Sequence, residues 1–333
     1  MLRNTAKVAD SHVMSSNGLN IDDDSEGNNI TREIYQILPS DNSDLGQVAK
    51  HHFETPGKYI RAKIALRSSK YFQICPEVSI KWALAVELMH NASLIHDDIC
   101  DKTSMRRGRI NVRAKFGNQI ALIFGDWLIG KSFEQADLAA SKSHTIELSS
   151  ILSFALIKTS LGQSRDLSYQ TYPVWNEYLN IASEKTSPLL MLPAEGILKI
   201  AQKNEFLEPL QVLFTLLSKC YQIANDMKNI MGTDGEMAAL SDLKRKAPNA
   251  VVIMFKEDLN EKSQELFNKW IQESNNIDAC YWQKRLKESQ AFMRTSTVFK
   301  RMLEEVHQIS ASLPEELKQI MLPIMDDLKR EEY

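Results

Sequence analysis

Three aspartates stand together in Leu94-Ile95-His96-Asp97-Asp98-Ile99-Cys100-Asp101, closing an apolar stretch with helical spacing that begins near Ser79. At 3.6 residues per turn Asp97 and Asp101 lie one turn apart on one face, with Asp98 about 100° round from Asp97. Two carboxylates so placed can share a divalent cation. Hard oxygen ligands suit magnesium, which keeps several waters and bridges one or two carboxylates to substrate phosphates. Ala85, Met89 and Ser93 fall in line with Asp97, so the carboxylates top a face that the apolar pattern buries. Arg106-Arg107-Gly108 follows five residues later and supplies two fixed cations. Metal with phosphate is the chemistry this combination points to, and a solvated helix end is the plain alternative.

A second basic group precedes the acidic one. Gly57-Lys58-Tyr59-Ile60-Arg61 follows the break at Thr55-Pro56 and puts Lys58 and Arg61 on one side of a helix start. An Arg fork can grip two oxygens, Lys acts as a point charge, and the free N–H groups of a helix start favour anions, so the pair is a candidate diphosphate clamp. His90 stands seven residues before Asp97, two turns away on the same face. A lone histidine in an apolar helix is more often a core residue than a ligand.

Two later stretches carry polar residues where apolar ones should continue. Gly162-Gln163-Ser164-Arg165-Asp166-Leu167 is either a kink that turns Gln163 and Asp166 to a wet cavity or a surface turn. Glu184-Lys185-Thr186-Ser187-Pro188 contains a proline, which breaks an intrahelical hydrogen bond and bends the helix, aiming Lys185 and Thr186 into a cavity. A further apolar pattern, Phe206 to Asn229, ends in Gln222, Asn225, Asp226, Lys228 and Asn229. Asn225 and Asn229 repeat the spacing of Asp97 and Asp101, with one carboxylate where the first cluster has three.

Holding such groups takes long helices, and nearly every segment reads as helix: 45–53, 58–71, 79–101, 110–140, 145–161, 177–201 and 206–229. The chain has 333 residues, 43% of them apolar, enough for a large core. No Gly-, Pro- or Ser-rich linker divides it after residue 30, so residues 31–333 read as a single all-helical domain and residues 1–30 as a polar, disordered tail. A net charge of −3 without a basic stripe argues against a nucleic-acid groove. Cys75, Cys100, Cys220 and Cys280 are scattered, which indicates neither a zinc site nor a disulfide framework and fits a reducing cytoplasm. The first 30 residues lack the apolar core of a signal peptide. The stretch from Ile120 to Gly130 is short and interrupted by Asp126, a core helix and not a transmembrane span. The C-terminal third reads as solvated helix faces with no chemistry to isolate.

Together, Gly57-Lys58-x-x-Arg61, His90, the DDxxD of Asp97 to Asp101, Arg106-Arg107-Gly108, Gln163-x-x-Asp166, Lys185-Thr186 and Gln222-x-x-Asn225-Asp226-x-x-Asn229 resemble the trans-isoprenyl diphosphate synthase (polyprenyl synthetase) family in order and spacing, from about residue 45 to 250. The resemblance implies an isoprenoid-synthase-type helical bundle around a deep central cavity, a homodimer, and up to three Mg2+ ions at the cavity mouth. It assigns Asp97, Asp98, Asp101, Asn225, Asp226 and Asn229 to metal, Arg106 to the allylic diphosphate, and Lys58, Arg61, His90 and Arg107 to isopentenyl diphosphate. Lys185, Thr186 and Gln222 would line the reaction centre, supported by Gln163 and Asp166.

The departures from the family pattern set the alternatives. The second aspartate motif stands here as Asn225-Asp226-Met227-Lys228-Asn229, so two anionic ligands are neutral amides and the metal on that side should bind more weakly. Ala62 replaces the usual Pro after Arg61, and Asp242-Leu243-Lys244-Arg245-Lys246 only loosely resembles the later lysine segment. A class I terpene synthase that cyclises one prenyl diphosphate, and a non-catalytic partner subunit, are the competing readings. A cyclase has no use for the isopentenyl diphosphate set, and all four of its residues are present, which favours prenyl transfer. Ser93 and Ala92 are small one turn below the metal-facing aspartates and Met89 is yielding, so products of farnesyl length or longer are expected.

Overall fold

The computed structural model describes residues 23–169, 172–232, 241–272 and 279–329. Its described residues are helical apart from loops and one hairpin, as the 3.6-residue periodicity predicts. The first helix, α1 (Asp23–Ile37), corrects the boundary placed at residue 30. Ile30 and Ile34 are fully buried, and Glu26 pairs with Arg67 at 3.1 Å, so the packed chain begins inside the stretch read as a tail. A polar composition hid two isoleucines at i, i+4 spacing. Residues 1–22 of that tail lie outside the described residues.

Next come α2 (Asp44–Phe53), capped by the Ser43 side chain, α3 (Ile60–Tyr71) and α4 (Pro76–Cys100). Helix α4 carries Pro at its first turn, where no intrahelical donor is needed, and is buried along most of its length from Val78 to Asp98. Being apolar all round it lies in the core, packed by α3, by α6 (Asn118–Ser143) and by α8 (Trp175–Ile200).

The single helix expected over 110–140 is broken. A two-residue hairpin, β1 (Met105–Arg106) with β2 (Arg109–Ile110), precedes a short α5 (Val112–Phe116) capped by Asn111, and Gly117 at φ 90° separates α5 from α6. The hairpin turns on Arg107 (φ 52°) and Gly108 (φ 73°), the double positive φ that matches the twist of paired strands.

Helix α7 (Leu148–Leu167) runs through the stretch expected to kink or turn. A Cβ on Gly162 would lie 2.5 Å from the Lys185 backbone nitrogen, so glycine is what lets α7 and α8 touch backbone to backbone. Helix α8 contains Pro188 and Pro193, which leave the carbonyls of Glu184 and Leu189 without their helical donors. Further on, α9 (Leu207–Met231), α10 (Ser241–Arg245), α11 (Ala250–Glu257), α12 (Glu261–Gln272), α13 (Ala279–Glu288), α14 (Gln290–Ser312) and α15 (Glu315–Lys329) build a second apolar cluster, on Phe214, Phe255, Phe267, Trp282 and Phe299, against α3 and α8.

The Trp82 indole of α4 is fully buried, donates to the Pro193 carbonyl at 3.0 Å and lies over Gly196 of α8, where a Cβ would come 2.1 Å from its ring. A rigid ring in a packed core cannot yield by that much. Gly196→Ala is expected to cost about 3 kcal/mol, seen as a lower denaturation midpoint at an unchanged m-value.

Candidate active site

Each of the three aspartates at the end of α4 holds a cation from a different element. Arg106, on β1, grips Asp98 through Nε at 3.0 Å and Nη2 at 2.9 Å, and the Thr103 hydroxyl donates to the same carboxylate at 2.6 Å. Lys185 of α8 lies 3.5 Å from Asp97 and 3.1 Å from Asp166 of α7. Arg245 of α10 lies 2.7 Å from Asp101 and 2.8 Å from Asp242. Carboxylates at a helix C-terminus meet the negative end of the macrodipole, so positive charge must come from outside the helix. Burial alone would lower the Lys185 pKa, but Asp97, Asp166 and Asp101 together raise it above the usual lysine value, so it stays charged.

The three are therefore not equivalent. Asp98 is 3% exposed with both oxygens occupied, a brace that orients Arg106 and not an open metal ligand. Asp97 and Asp101 remain part-exposed, one turn apart, and their chemistry fits a hard divalent ion that draws its other ligands from water and diphosphate. Among the described residues no cluster of three or more His, Cys, Asp or Glu side chains could enclose a metal ion.

The end of α9 is arranged differently from its sequence parallel. Asp226 is buried and accepts from the Tyr178 hydroxyl at 2.5 Å, the Ala250 backbone N–H at 2.7 Å and Gln222 Nε2 at 2.7 Å. Burial, with the charge of Asp242, pushes its carboxyl up to about 8. Asn225 is exposed, and buried Asn229 accepts from the Asp242 N–H at 3.4 Å. Asp226 thus fastens α9 to α8 and to the start of α11, which corrects its assignment as a metal ligand. Gln222 is spent on Asp226 as well. Burial is the reason: a carboxylate cut off from water takes whatever donors the fold supplies.

The basic group builds on the hairpin and the start of α3. Arg107 donates to the Thr55 carbonyl at 3.0 Å and lies so close under Gly57 that a Cβ there would come 2.6 Å from its guanidinium. Lys58 is exposed in the loop before α3, not on its first turn as the spacing suggested, because Tyr59 at φ 52° delays the helix to Ile60. Arg61 is on that first turn, and its Nε donates to the Leu189 carbonyl at 3.2 Å, the acceptor released by Pro193.

His90 is held well below its usual pKa by burial and by the charges of Arg61, Arg107 and Arg106, so it is neutral, and its Nδ1 has no partner among the described residues. Both polar atoms of the Gln163 amide are likewise buried without a described partner, one residue past the α7–α8 contact at Gly162. Thr186 is half-buried beside Lys185. Buried polar atoms left open beside converging cations suit a ligand rich in oxygen acceptors and donors.

Two residues of this site escaped sequence reasoning. Glu87, 2% exposed on α4, accepts from the Ala62 N–H at 3.4 Å and from Asn91 at 3.1 Å. Asn91 in turn accepts from His52 at 2.9 Å, so the chain ties α2 and α4 to the turn bearing Arg61. Burial raises the Glu87 pKa against the pull of Arg61 and Arg107. A lone Glu inside an apolar helix was its signal. Arg245 was the other, inside the stretch from Asp242 to Lys246 that only loosely resembles the family's lysine segment.

The polyprenyl synthetase family profile matches residues 42–288. The chain is 28% identical over 218 residues to heptaprenyl diphosphate synthase component 2 of Geobacillus stearothermophilus, covering 64% of this chain and 67% of that one. It is 28% identical over 262 residues to geranylgeranyl diphosphate synthase of Saccharolobus solfataricus, covering 76% and 79%. A polyprenyl synthase from Caulobacter crescentus CB15, solved in complex with calcium and isoprenyl diphosphate, shares the fold with a TM-score of 0.80 at 19% identity, over 93% of this chain and 96% of that one.

Proposed function

For a chain that belongs to the polyprenyl synthetase family and is a prenyltransferase making isoprenyl diphosphates, we propose a magnesium-dependent condensation of an allylic diphosphate with isopentenyl diphosphate, yielding a trans-polyprenyl diphosphate of farnesyl length or longer. One observation carries this reading. Adjacent residues of one hairpin serve two anion-binding groups: Arg106 reaches the acidic rim through Asp98, and Arg107 reaches the loop of Gly57 and Lys58. Two diphosphates can lie side by side there, and a cyclase needs only one.

Lys58, Arg61 and Arg107, with neutral His90, would hold isopentenyl diphosphate, while Arg106 and Lys185 would face the allylic diphosphate. Magnesium at Asp97 and Asp101 would neutralise the leaving diphosphate. The allylic carbon–oxygen bond breaks, the isopentenyl double bond attacks the carbocation to form the new carbon–carbon bond, and a proton is lost. Fixed charge on Lys185 and Arg106 favours the departing anion because it needs no reorganisation as the bond breaks. Gln163 and Thr186 would line the centre, and the apolar walls of α4 and α6 keep water from the cation.

No helix among the described residues is long and apolar enough to cross a membrane, and we place the activity in the cytoplasm. We also assign a homodimer. Leu122 and Ile123 of α6, and Phe154, Ile157 and Leu161 of α7, are each at least half exposed, an apolar surface of the kind a second copy would cover.

Incubating the protein and magnesium with each allylic diphosphate, with and without isopentenyl diphosphate, tests the reaction. Chain-elongated product is expected only when both are present, and a cyclic hydrocarbon from the allylic substrate alone would reject it. Chain length has its own test. Ser93 is half-buried one turn below Asp97, above fully buried Met89. Ser93→Phe should shift products, read by mass, to shorter chains, and an unchanged product length would remove α4 from the chain-length path.

A further inference from the structure

The rim has two ionic seats, and protein cations fill both. Lys185 fills one, between Asp97 and Asp166. Arg245 fills the other, joining Asp101 at the end of α4 to Asp242 at the start of α10. That is the bridge a divalent ion would make, one positive centre between carboxylates of two elements. We propose that Arg245 is a built-in counter-ion that takes the place of a divalent ion between Asp101 and Asp242.

Three observations carry the inference, which rests on the prenyltransferase reading of the rim. First, the ligands that would compensate for its absence are missing: Asn225 and Asn229 are neutral, and the Asp226 carboxylate is spent on Tyr178, Gln222 and Ala250. Among the described residues, a divalent ion here would have Asp101 and Asp242 alone as charged ligands. Second, those two are the carboxylates Arg245 already occupies, each through a different Nη atom. A guanidinium cannot be neutralised by losing a proton, so an ion entering this seat must break both pairs and leave Arg245 part-buried without them. Third, the seat is fixed. Asp242 also receives Asn249 Nδ2 at 3.4 Å, its N–H is held by Asn229, and Asn249 is fully buried and donates to the Asp226 carbonyl at 3.1 Å. Arg245 therefore supplies a constant positive charge on the side where two of the motif's anionic ligands are neutral amides. Asp97 and Asp101 would still hold an ion between them, since Arg245 engages one Asp101 oxygen, Oδ1.

Mn2+ titration of the full chain, followed by electron paramagnetic resonance, tests this without turnover. Arg245→Gln frees Asp101 and Asp242 together and should either add one bound Mn2+ per chain or tighten Mn2+ binding about fivefold, the scale of a part-exposed ion pair. Arg245→Lys, which keeps the charge, should bind Mn2+ as the parent does, and adding Asp242→Asn to Arg245→Gln should cancel the gain. A purely structural Arg245 would move the melting temperature and not the ion count. Unchanged Mn2+ affinity and stoichiometry in Arg245→Gln overturns the inference and leaves the reading of the rim standing. Failure of the parent and every variant to bind Mn2+, with a bisphosphonate present, overturns both. Should Arg245→Gln not fold, the parent supplies the answer through the 15Nε–H resonance of Arg245, assigned by its loss in Arg245→Lys. Saturating Mg2+ should leave that signal where it is, and a shift toward the position of free arginine would show displacement and overturn the assignment.

Discussion

Replacing Asp97 and Asp101 together with asparagine is expected to lower kcat/KM for prenyl transfer by about 10³-fold or more, the scale of losing about 4 kcal/mol of transition-state stabilisation. Each amide keeps the shape and one acceptor oxygen, turns the other into an NH2 donor, and removes the charge that a divalent ion needs. Stability should change little, within about 1 kcal/mol. Lys185 keeps Asp166 and Arg245 keeps Asp242, so neither cation is stranded, and removing anions from a helix C-terminus relieves a dipole conflict. Steady-state kinetics beside a thermal melt separate the outcomes. Turnover near the parent's in this double variant would mean that the acidic rim does not carry the reaction.

Arg61→Met should raise KM for isopentenyl diphosphate about 100-fold, with KM for the allylic diphosphate nearly unchanged. Methionine keeps the length of the stem, so the loss is the guanidinium. Arg61 leans on the Leu189 carbonyl, freed by Pro193, and on a turn tied to Glu87, which fixes the cation in advance of ligand. Varying each substrate at saturation of the other gives the two constants. If both rose equally, Arg61 would be shaping the cleft as a whole and the division into two diphosphate seats would be wrong.

The failures of sequence reading were local and physical. The helix expected across residues 110–140 broke at Gly117, whose φ of 90° separates α5 from α6. The hairpin before it went unread because strands of two residues are too short to show alternation, although Arg107-Gly108 had the chemistry of a tight hairpin turn. Gln163 and Asp166 left two readings open, a kink facing a cavity or a surface turn, and the structure carries α7 through the stretch as continuous helix with Asp166 on Lys185. The missing side chain of Gly162, which admits the Lys185 backbone, was the feature that brought this stretch against α8. Asp226 looked like a lone survivor of a metal motif, yet burial turned it inward to Tyr178 and Ala250.

Relations inside one helix were legible from the residues alone, because a fixed rise and rotation per residue place Asp97, Asp101 and His90 on one face of α4 wherever that helix lies. The all-helical class follows from the same periodicity, and the order of the motifs carried the family resemblance. Which cation answers which carboxylate was not legible. Lys185, Arg106 and Arg245 come from three other elements, and only the packing of α8, the hairpin and α10 around the end of α4 brings them within ion-pair distance. Coulomb attraction falls with separation in space and takes no account of separation along the chain, so the charge balance of this rim is a property of the folded molecule.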